Sequence, residues 1–484
     1  MKMARWSAMA ALAVCALAGA QTATPIQIPM APQYSENTAT NNAISAQIPP
    51  TYTGSVPLAK PTAGVMQLHL RDALDLALKQ NLGVVTGTQN VRAARAEKLL
   101  QLSHLLPDVT AHLQESAQQI NLAAFGFPAP AGTSPIIGPF GISDARAYVG
   151  QRIFDWNAIQ NERSANWGER AAQLSEADTR EIVVLVVANS YLQTVASEAR
   201  VAAAQSQLDT ARSSYDQAQN MRKAGMVAGI DVLRAQVEVA ARQQQVLALS
   251  NEFAKEKLDL ARIVGLAPGQ QYELADKMPY APAPVVDLNQ ALEHAYAQRA
   301  DYQSALAMVR SAKSARDAAV AEAYPSLRFD GNYGDIGKNF VNSHGTFTAA
   351  ASLDIPIFQG GKVRADVLRE DALLQQRQAE LGDLKGSIDA EVRKALLDVE
   401  SAAQQVQVTK DELDVAQQAL KEARDRFAAG VADNLEVVQA QEAVATANDS
   451  YISSVYAHNI AKASLARAVG VAEKSVKEFL GEKP

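Results

Sequence analysis

Of 484 residues only one, Cys15, is a cysteine, and it falls within the first twenty. Those twenty combine a basic start (Lys2, Arg5), an apolar run from Ala8 to Ala18 and the small residues Ala18-Gly19-Ala20, the pattern of a cleaved export leader over residues 1–20. A lipoprotein reading would make Cys15 the anchor, but Val14 precedes it where a small residue is expected, and the apolar stretch before it is short. Cleavage after Ala20 would leave no cysteine, which excludes disulfides and thiolate metal sites. Long apolar runs are also missing. Past the leader the longest purely aliphatic run is Ile182–Ala188, whereas a spanning helix needs about 20 residues. Any membrane crossing must then be made by strands, and on composition alone a soluble exported protein is equally allowed.

An excess of basic residues is missing too. The formal charge is −7, and losing Lys2 and Arg5 with the leader takes it to −9, which argues against a nucleic-acid partner. The six histidines (His69, His104, His112, His294, His344 and His458) show no His-x-x-x-His spacing. There is no phosphate-binding Gly-x-x-x-x-Gly-Lys-Ser/Thr loop and no Gly-x-Ser-x-Gly elbow. The sequence thus gives no ground for an enzyme, a metal site or a cofactor. Trp156 and Trp167 are expected to serve packing rather than ligand stacking.

What is present is a repeat. Residues 21–66 carry seven prolines and read as an extended tether. From there, Leu70-Arg71-Asp72-Ala73-Leu74 is answered by Leu288-Asn289-Gln290-Ala291-Leu292, an offset of 218 that Val91/Val309 and Pro107/Pro325 keep. Ile153-Phe154 matches Ile357-Phe358 at 204, so the first copy is 14 residues longer between proline and Ile-Phe. Gly225/Gly430 and Leu260-Ala261-Arg262/Leu465-Ala466-Arg467 match at 205. This ordered series is an internal duplication. The divisions are repeat 1 over 67–266, a linker over 267–286, repeat 2 over 287–471 and a tail over 472–484.

Each copy changes periodicity in the same order. Two helices lead to Pro107 or Pro325, which end the helical pattern. Alternating segments follow: Leu327, Phe329, Gly331 and Tyr333, then Phe347, Ala349, Ala351, Leu353, Ile355 and Ile357 in the second copy. Weaker counterparts in the first are Val109, Ala111 and Leu113, then Ala145, Ala147 and Val149. Period two predicts strand hairpins at about 107–155 and 325–359, the extra residues lengthening a Gly/Pro-rich loop at 122–143. Long helices should follow over 156–224 and 361–428, with return helices over 229–263 and 433–468. From Trp156 to Ala224 there is no proline and only Gly168, enough for a rod of roughly 100 Å. Val201, Ala204, Leu208, Ala211, Tyr215 and Ala218 recur in steps of three and four, as do Val406, Thr409, Leu413, Ala416, Leu420 and Ala423. Those stripes are coiled-coil seams.

Two hairpins give four strands, which cannot close a barrel, and lipid tolerates no open edge. Spanning barrels begin at eight strands, so spanning strands would require several chains.

Leu106-Pro107-Asp108-Val109 and Tyr324-Pro325-Ser326-Leu327, Ile357-Phe358-Gln359-Gly360-Gly361, Arg426-Phe427-Ala428-Ala429-Gly430 with Leu435-Glu436-Val437, and Leu465-Ala466-Arg467-Ala468-Val469-Gly470 resemble the motifs of the outer membrane efflux protein family, the TolC-like channels. The match covers about residues 67–471. The resemblance implies a mainly α fold with β: a homotrimer in which a twelve-stranded β-barrel in outer-membrane lipid, four strands per chain, stands on an α-helical barrel of long coiled-coil helices in the periplasm. It implies an outer-membrane exit channel of a tripartite efflux pump or type I secretion system. Its partners would be a periplasmic adaptor and an inner-membrane transporter of the RND, ABC or MFS type. The alternative is a periplasmic coiled-coil adaptor or scaffold that conducts nothing.

The resemblance also places the turns near Gly225, Gly229, Phe427 and Gly430 at the periplasmic tip, where the adaptor would dock. Asp231, Asp433 and Glu436 become candidates for the pore constriction, because a trimer turns each carboxylate into a ring of three, and Gln439 joins them because it stands where family members often carry a carboxylate. A ring of charges attracts cations. Their other reading is as solvated carboxylates at helix starts, favoured by the macrodipole. Phe427 and Ala432 stand where several family members carry a tyrosine and an arginine that lock the closed tip.

Overall fold

A computed structural model describes residues 52–57, 60–61, 64–127, 132–277, 280–282 and 286–473, all within the unit Pro49–Pro484. The leader, Cys15, most of the Pro-rich segment and the tail beyond 473 lie outside the described residues. In chain order the elements are β1 (Met66–Leu68), α1 (Leu70–Gln80), α2 (Leu82–Ser103), β2 (Asp108–Asn121), β3 (Ile136–Phe154), α3 (Trp156–Lys223), α4 (Gly229–Val264), β4 (Tyr272–Leu274), α5 (Leu288–Gln298), α6 (Ala300–Ala321), β5 (Ser326–Gly337), β6 (Ser343–Asp354), α7 (Lys362–Ala428) and α8 (Asn434–Val469).

The long helices begin and end for local reasons. Asp155 starts α3 by accepting a hydrogen bond from the Ala158 N–H at 3.1 Å, an N-cap. Asp433 does the same for α8, its Oδ1 accepting from Leu435 and Glu436 at 3.1 and 3.3 Å. At the far end of α3, Gly225 takes φ +76°, and at the end of α7 Gly430 takes φ +73°. In each the N–H three residues past the helix end closes the turn, Met226 onto Met221 O at 2.9 Å and Val431 onto Arg426 O at 3.1 Å. These are Schellman turns, in which glycine avoids the left-handed penalty.

Packing sets the order of the rods. α3 pairs with α4, α7 pairs with α8, and α3 also packs against α8, which leaves α4 and α7 on the outside. The stripe expected on α3 is buried at Ala204, Leu208, Ala211 and Ala218, and that on α7 at Val406, Thr409, Ala416 and Ala423. One stretch of α3 is apolar enough, by length and composition, to cross a bilayer, but 61 % of it is buried in the helical body. Nearer the strands α2, α3, α6 and α7 lie side by side in that order. Arg299 ties the second copy together. It is 3 % exposed and donates to Asp301 at 2.7 Å, to Glu391 at 2.6 Å and to the Ala468 carbonyl at 3.4 Å.

The short strands β1 and β4 form a parallel pair that the sequence reading did not foresee, β1 straddling the start of repeat 1 and β4 lying in the linker. Residues before β1 are packed as well. Ser55 bridges to Asn81, and Val56 N–H donates to Gln80 O at 2.8 Å. The tether reading therefore fails for 52–56. These residues satisfy buried backbone groups where α1 gives way to α2, a constraint that proline content does not reveal.

β2, β3, β5 and β6 form one antiparallel sheet in that order. Two boundaries differ from expectation. β6 stops at Asp354, before Ile355 and Ile357, because Pro356 has no N–H for the ladder. β3 starts at Ile136, inside the stretch taken as loop, and the register shifts between Gln118 and Ile120, across from Gly138-Pro139. A bulge accommodates the proline and lets the strand continue through it.

Candidate functional site: an apolar sheet face and a polar helical tip

The sheet register sorts side chains by chemistry. Val109 pairs with Val149, Ala111 with Ala147 and Leu113 with Ala145; Ala147 pairs on with Tyr333, and Tyr333 with Phe347. Gly331 with Ala349 and Leu327 with Leu353 extend the same face. The opposite face carries Thr110, His112, Asp144, Arg146, Arg328, Asp330, Asn332, Thr348 and Ser352, in the same registers. On it, Arg146 pairs with Asp144 and Arg328 with Asp330. The apolar face is uncovered: Leu113 is 74 % exposed, Tyr333 71 % and Phe347 77 %. A sheet with one wet polar face and one bare apolar face suits lipid outside and water inside. β2 and β6 are both edges, 14 and 12 residues long, with no partner among the described residues.

At the other end, the turns after α3 and α7 come together. Ala218, Met221, Val232, Ala235, Ala423, Phe427 and Val437 form their shared core. Phe427, 3 % exposed, is inside it. It therefore cannot serve as a docking contact on the tip surface. Its large side chain follows the buried stripe of α7, which outweighs its position next to the turn. Gly229 opens α4 in ordinary helical geometry, and Gly225 and Gly430 have open space around them. The exposed apolar residues here are Met226, Ile230, Leu233, Val431 and Leu435, which sequence reasoning did not single out. Their sign in the sequence is that they fall off the buried stripe.

The four polar candidates are placed as follows. Asp433 is exposed and occupied as the cap of α8. Glu436, in the first turn, lies 3.5 Å from Arg426 across the turn. Asp231 pairs with Arg234 at 3.5 Å, and its carbonyl accepts from Asn434 Nδ2 at 3.2 Å, which links the two hairpins. Gln439 is exposed one turn along α8. The structure thus gathers Asp231, Asp433 and Glu436 at one end and adds Arg426, Arg234 and the buried Asn434 as partners that the sequence did not reveal. Across the hairpins, Arg242 of α4 pairs with Glu442 of α8. Among the described residues no group of acidic or histidine side chains could hold a metal ion.

The family model of the outer membrane efflux protein matches residues 73–266 and 291–471. Among curated proteins, the chain is 24 % identical to the pyoverdine export outer membrane protein OpmQ of Pseudomonas aeruginosa, over 86 % of this chain and 88 % of that one. It is 26 % identical to protein CyaE of Bordetella pertussis, over 90 % and 92 %. Among solved structures it is similar to the CmeC outer membrane channel of Campylobacter jejuni, with a TM-score of 0.72 at 16 % identity over 95 % of this chain and 98 % of that one. It is also similar to the outer membrane protein VceC of Vibrio cholerae, with a TM-score of 0.70 at 16 % identity over 83 % and 96 %. With two matched stretches spanning most of the sequence, a bare apolar sheet and paired helical rods, the chain belongs to the outer membrane efflux protein family and is a channel of the outer membrane.

Proposed function

We propose that three copies of this chain close into one exit duct, a twelve-stranded barrel in the outer membrane continued by a helical tunnel in the periplasm. The observation that carries this is the sheet: four strands, an uncovered apolar face and two unpaired edges. Edges of that length cannot stay open in lipid, and pairing β2 of one copy with β6 of the next removes them all. The rods support the same closure. The outer face of α4 carries Ile230, Leu233, Val237, Leu247, Ala254 and Leu258, all exposed and all on one seam of alternating three- and four-residue steps. α7 exposes Leu397, Val408 and Val415 on its own outer side. A seam of this period asks for a helix partner, and a neighbouring copy's α7 supplies it. A periplasmic scaffold, the competing reading, has no use for a sheet with one bare apolar face.

At the tip, Glu436 with Asp433, Asp231 and Gln439 would form the narrowest polar ring. Met226, Ile230, Leu233, Val431 and Leu435, presented by the turns at Gly225, Gly229 and Gly430, would dock a periplasmic adaptor that brings an inner-membrane transporter. Transport through the duct is passive, since the transporter supplies the energy. The test is conductance of the purified protein in planar bilayers. Stepwise, cation-preferring currents are expected, and a protein that inserts without conducting, or stays soluble, contradicts the reading.

A further inference from the structure

Both tryptophans outside the leader lie on one stripe below the sheet, and each is covered by an arginine. β3 ends in a bulge that brings Phe154 opposite Leu327, on the apolar face. Phe154 stacks on Trp156 with ring centres 6.3 Å apart, so Trp156 continues that face onto α3. Arg163, two turns on, lies 5.5 Å over the Trp156 ring. Trp167, one turn further, is covered by Arg310 of α6 at 4.8 Å. Ser164 and Ser311, the residues that follow the two arginines, exchange hydrogen bonds of 3.0 and 2.9 Å. Both arginines therefore leave their helices at one level, ~10 Å beyond Trp156.

Their electrostatic setting is unusual for this region. Arg95, Arg152, Arg316 and Arg328 each hold a carboxylate. Arg163 and Arg310 are exposed and have none among the described residues. Two guanidinium groups without a carboxylate, rooted at one level and resting on successive indoles of a stripe continuous with the bare apolar sheet, match phosphate groups at the edge of the hydrocarbon. Indole rings favour that same depth, and guanidinium binds phosphate through paired hydrogen bonds.

We propose that Arg163 and Arg310, with Trp156 and Trp167, bind the phosphate headgroup of an anionic phospholipid in the periplasmic leaflet of the outer membrane. The proposal rests on the apolar sheet face pointing to lipid. It is tested by placing the protein without its leader in nanodiscs of equal phosphatidylglycerol and phosphatidylcholine and counting retained lipids by native mass spectrometry. The wild type should retain phosphatidylglycerol preferentially. Arg163→Gln with Arg310→Gln should lose about fivefold of that retention, a difference near 1 kcal/mol, with phosphatidylcholine unchanged. Equal phosphatidylglycerol retention by both proteins overturns the proposal. Without any substitution, indole emission should change between phosphatidylcholine and phosphatidylglycerol nanodiscs, since the leader-free chain has no other tryptophan. An unchanged spectrum also overturns it. Conductance reads the channel separately: a conducting protein that ignores lipid charge sinks only the headgroup site, and one that discriminates lipids without conducting sinks only the duct.

Discussion

Asp433 and Glu436 stand three residues apart and are held in different ways. The first is spent on capping α8, and the second faces Arg426 across the turn. Asparagine caps almost as well as aspartate, and the Glu436–Arg426 pair is half exposed and therefore weak. Asp433→Asn with Glu436→Gln should change stability by no more than about 0.5 kcal/mol and should reduce cation preference and block by multivalent cations in planar bilayers. Unchanged selectivity would move the constriction elsewhere, with Asp231 the next residue to test. Lys462 shows a different residue-scale effect. It is fully buried on α8, donates to the Ala281 carbonyl at 3.0 Å, and burial pushes its ammonium down to about 8. The unfolded value is about 10.4, so between the two the unfolded chain holds more protons and stability rises with pH. Lys462→Met should flatten that rise in thermal unfolding and stabilise the protein at pH 7 by about 2 kcal/mol. A slope between pH 8 and 10 that survives the substitution would show that another group titrates there. The sequence revealed nothing of this lysine, because helical spacing marks the buried face of α8 without showing that the connector at 280–282 covers it. Phe427 continues the stripe of α7 and is buried as that stripe requires, so only its grouping with the docking residues fails: closeness to a turn says nothing about which way a side chain points.

Elements were more legible than residues. Helices α3 and α7 could be read almost to their ends because in both a proline-free length runs to a terminal glycine. Strands were harder. Pro139 with Gly138 and Gly141 disguised the start of β3, since a bulge accommodates what a regular ladder would reject. Pro356 did the opposite and cut β6 short of its apparent pattern. The pairing of β1 with β4 joins residues about two hundred positions apart through three-residue strands, too short for any periodicity to show. The hairpin turns still give a direct test of orientation. Cysteines placed at Ser134 and Ser343, at the sheet end away from the helices, should both react with an impermeant thiol reagent on whole cells. Labelling of both only after the outer membrane is opened would reverse the topology.

At the scale of the whole molecule, four of the surfaces left open among the described residues run along the sides of the chain: the β2 and β6 edges, the α4 seam and the outer side of α7. An assembly that joins like to unlike around an axis satisfies all of these at once, and closure is what separates it from an open filament. Strand counting required several chains without fixing how many, and the number three came from the family resemblance, because a single chain carries no mark of the rotation that closes the ring. The proposed three chains would bring twelve strands and twelve rods to that closure. Native mass spectrometry of the detergent-extracted protein tests this most directly. The account requires the mass of three chains without the leader, and a monomer or a dimer as the stable species would contradict it.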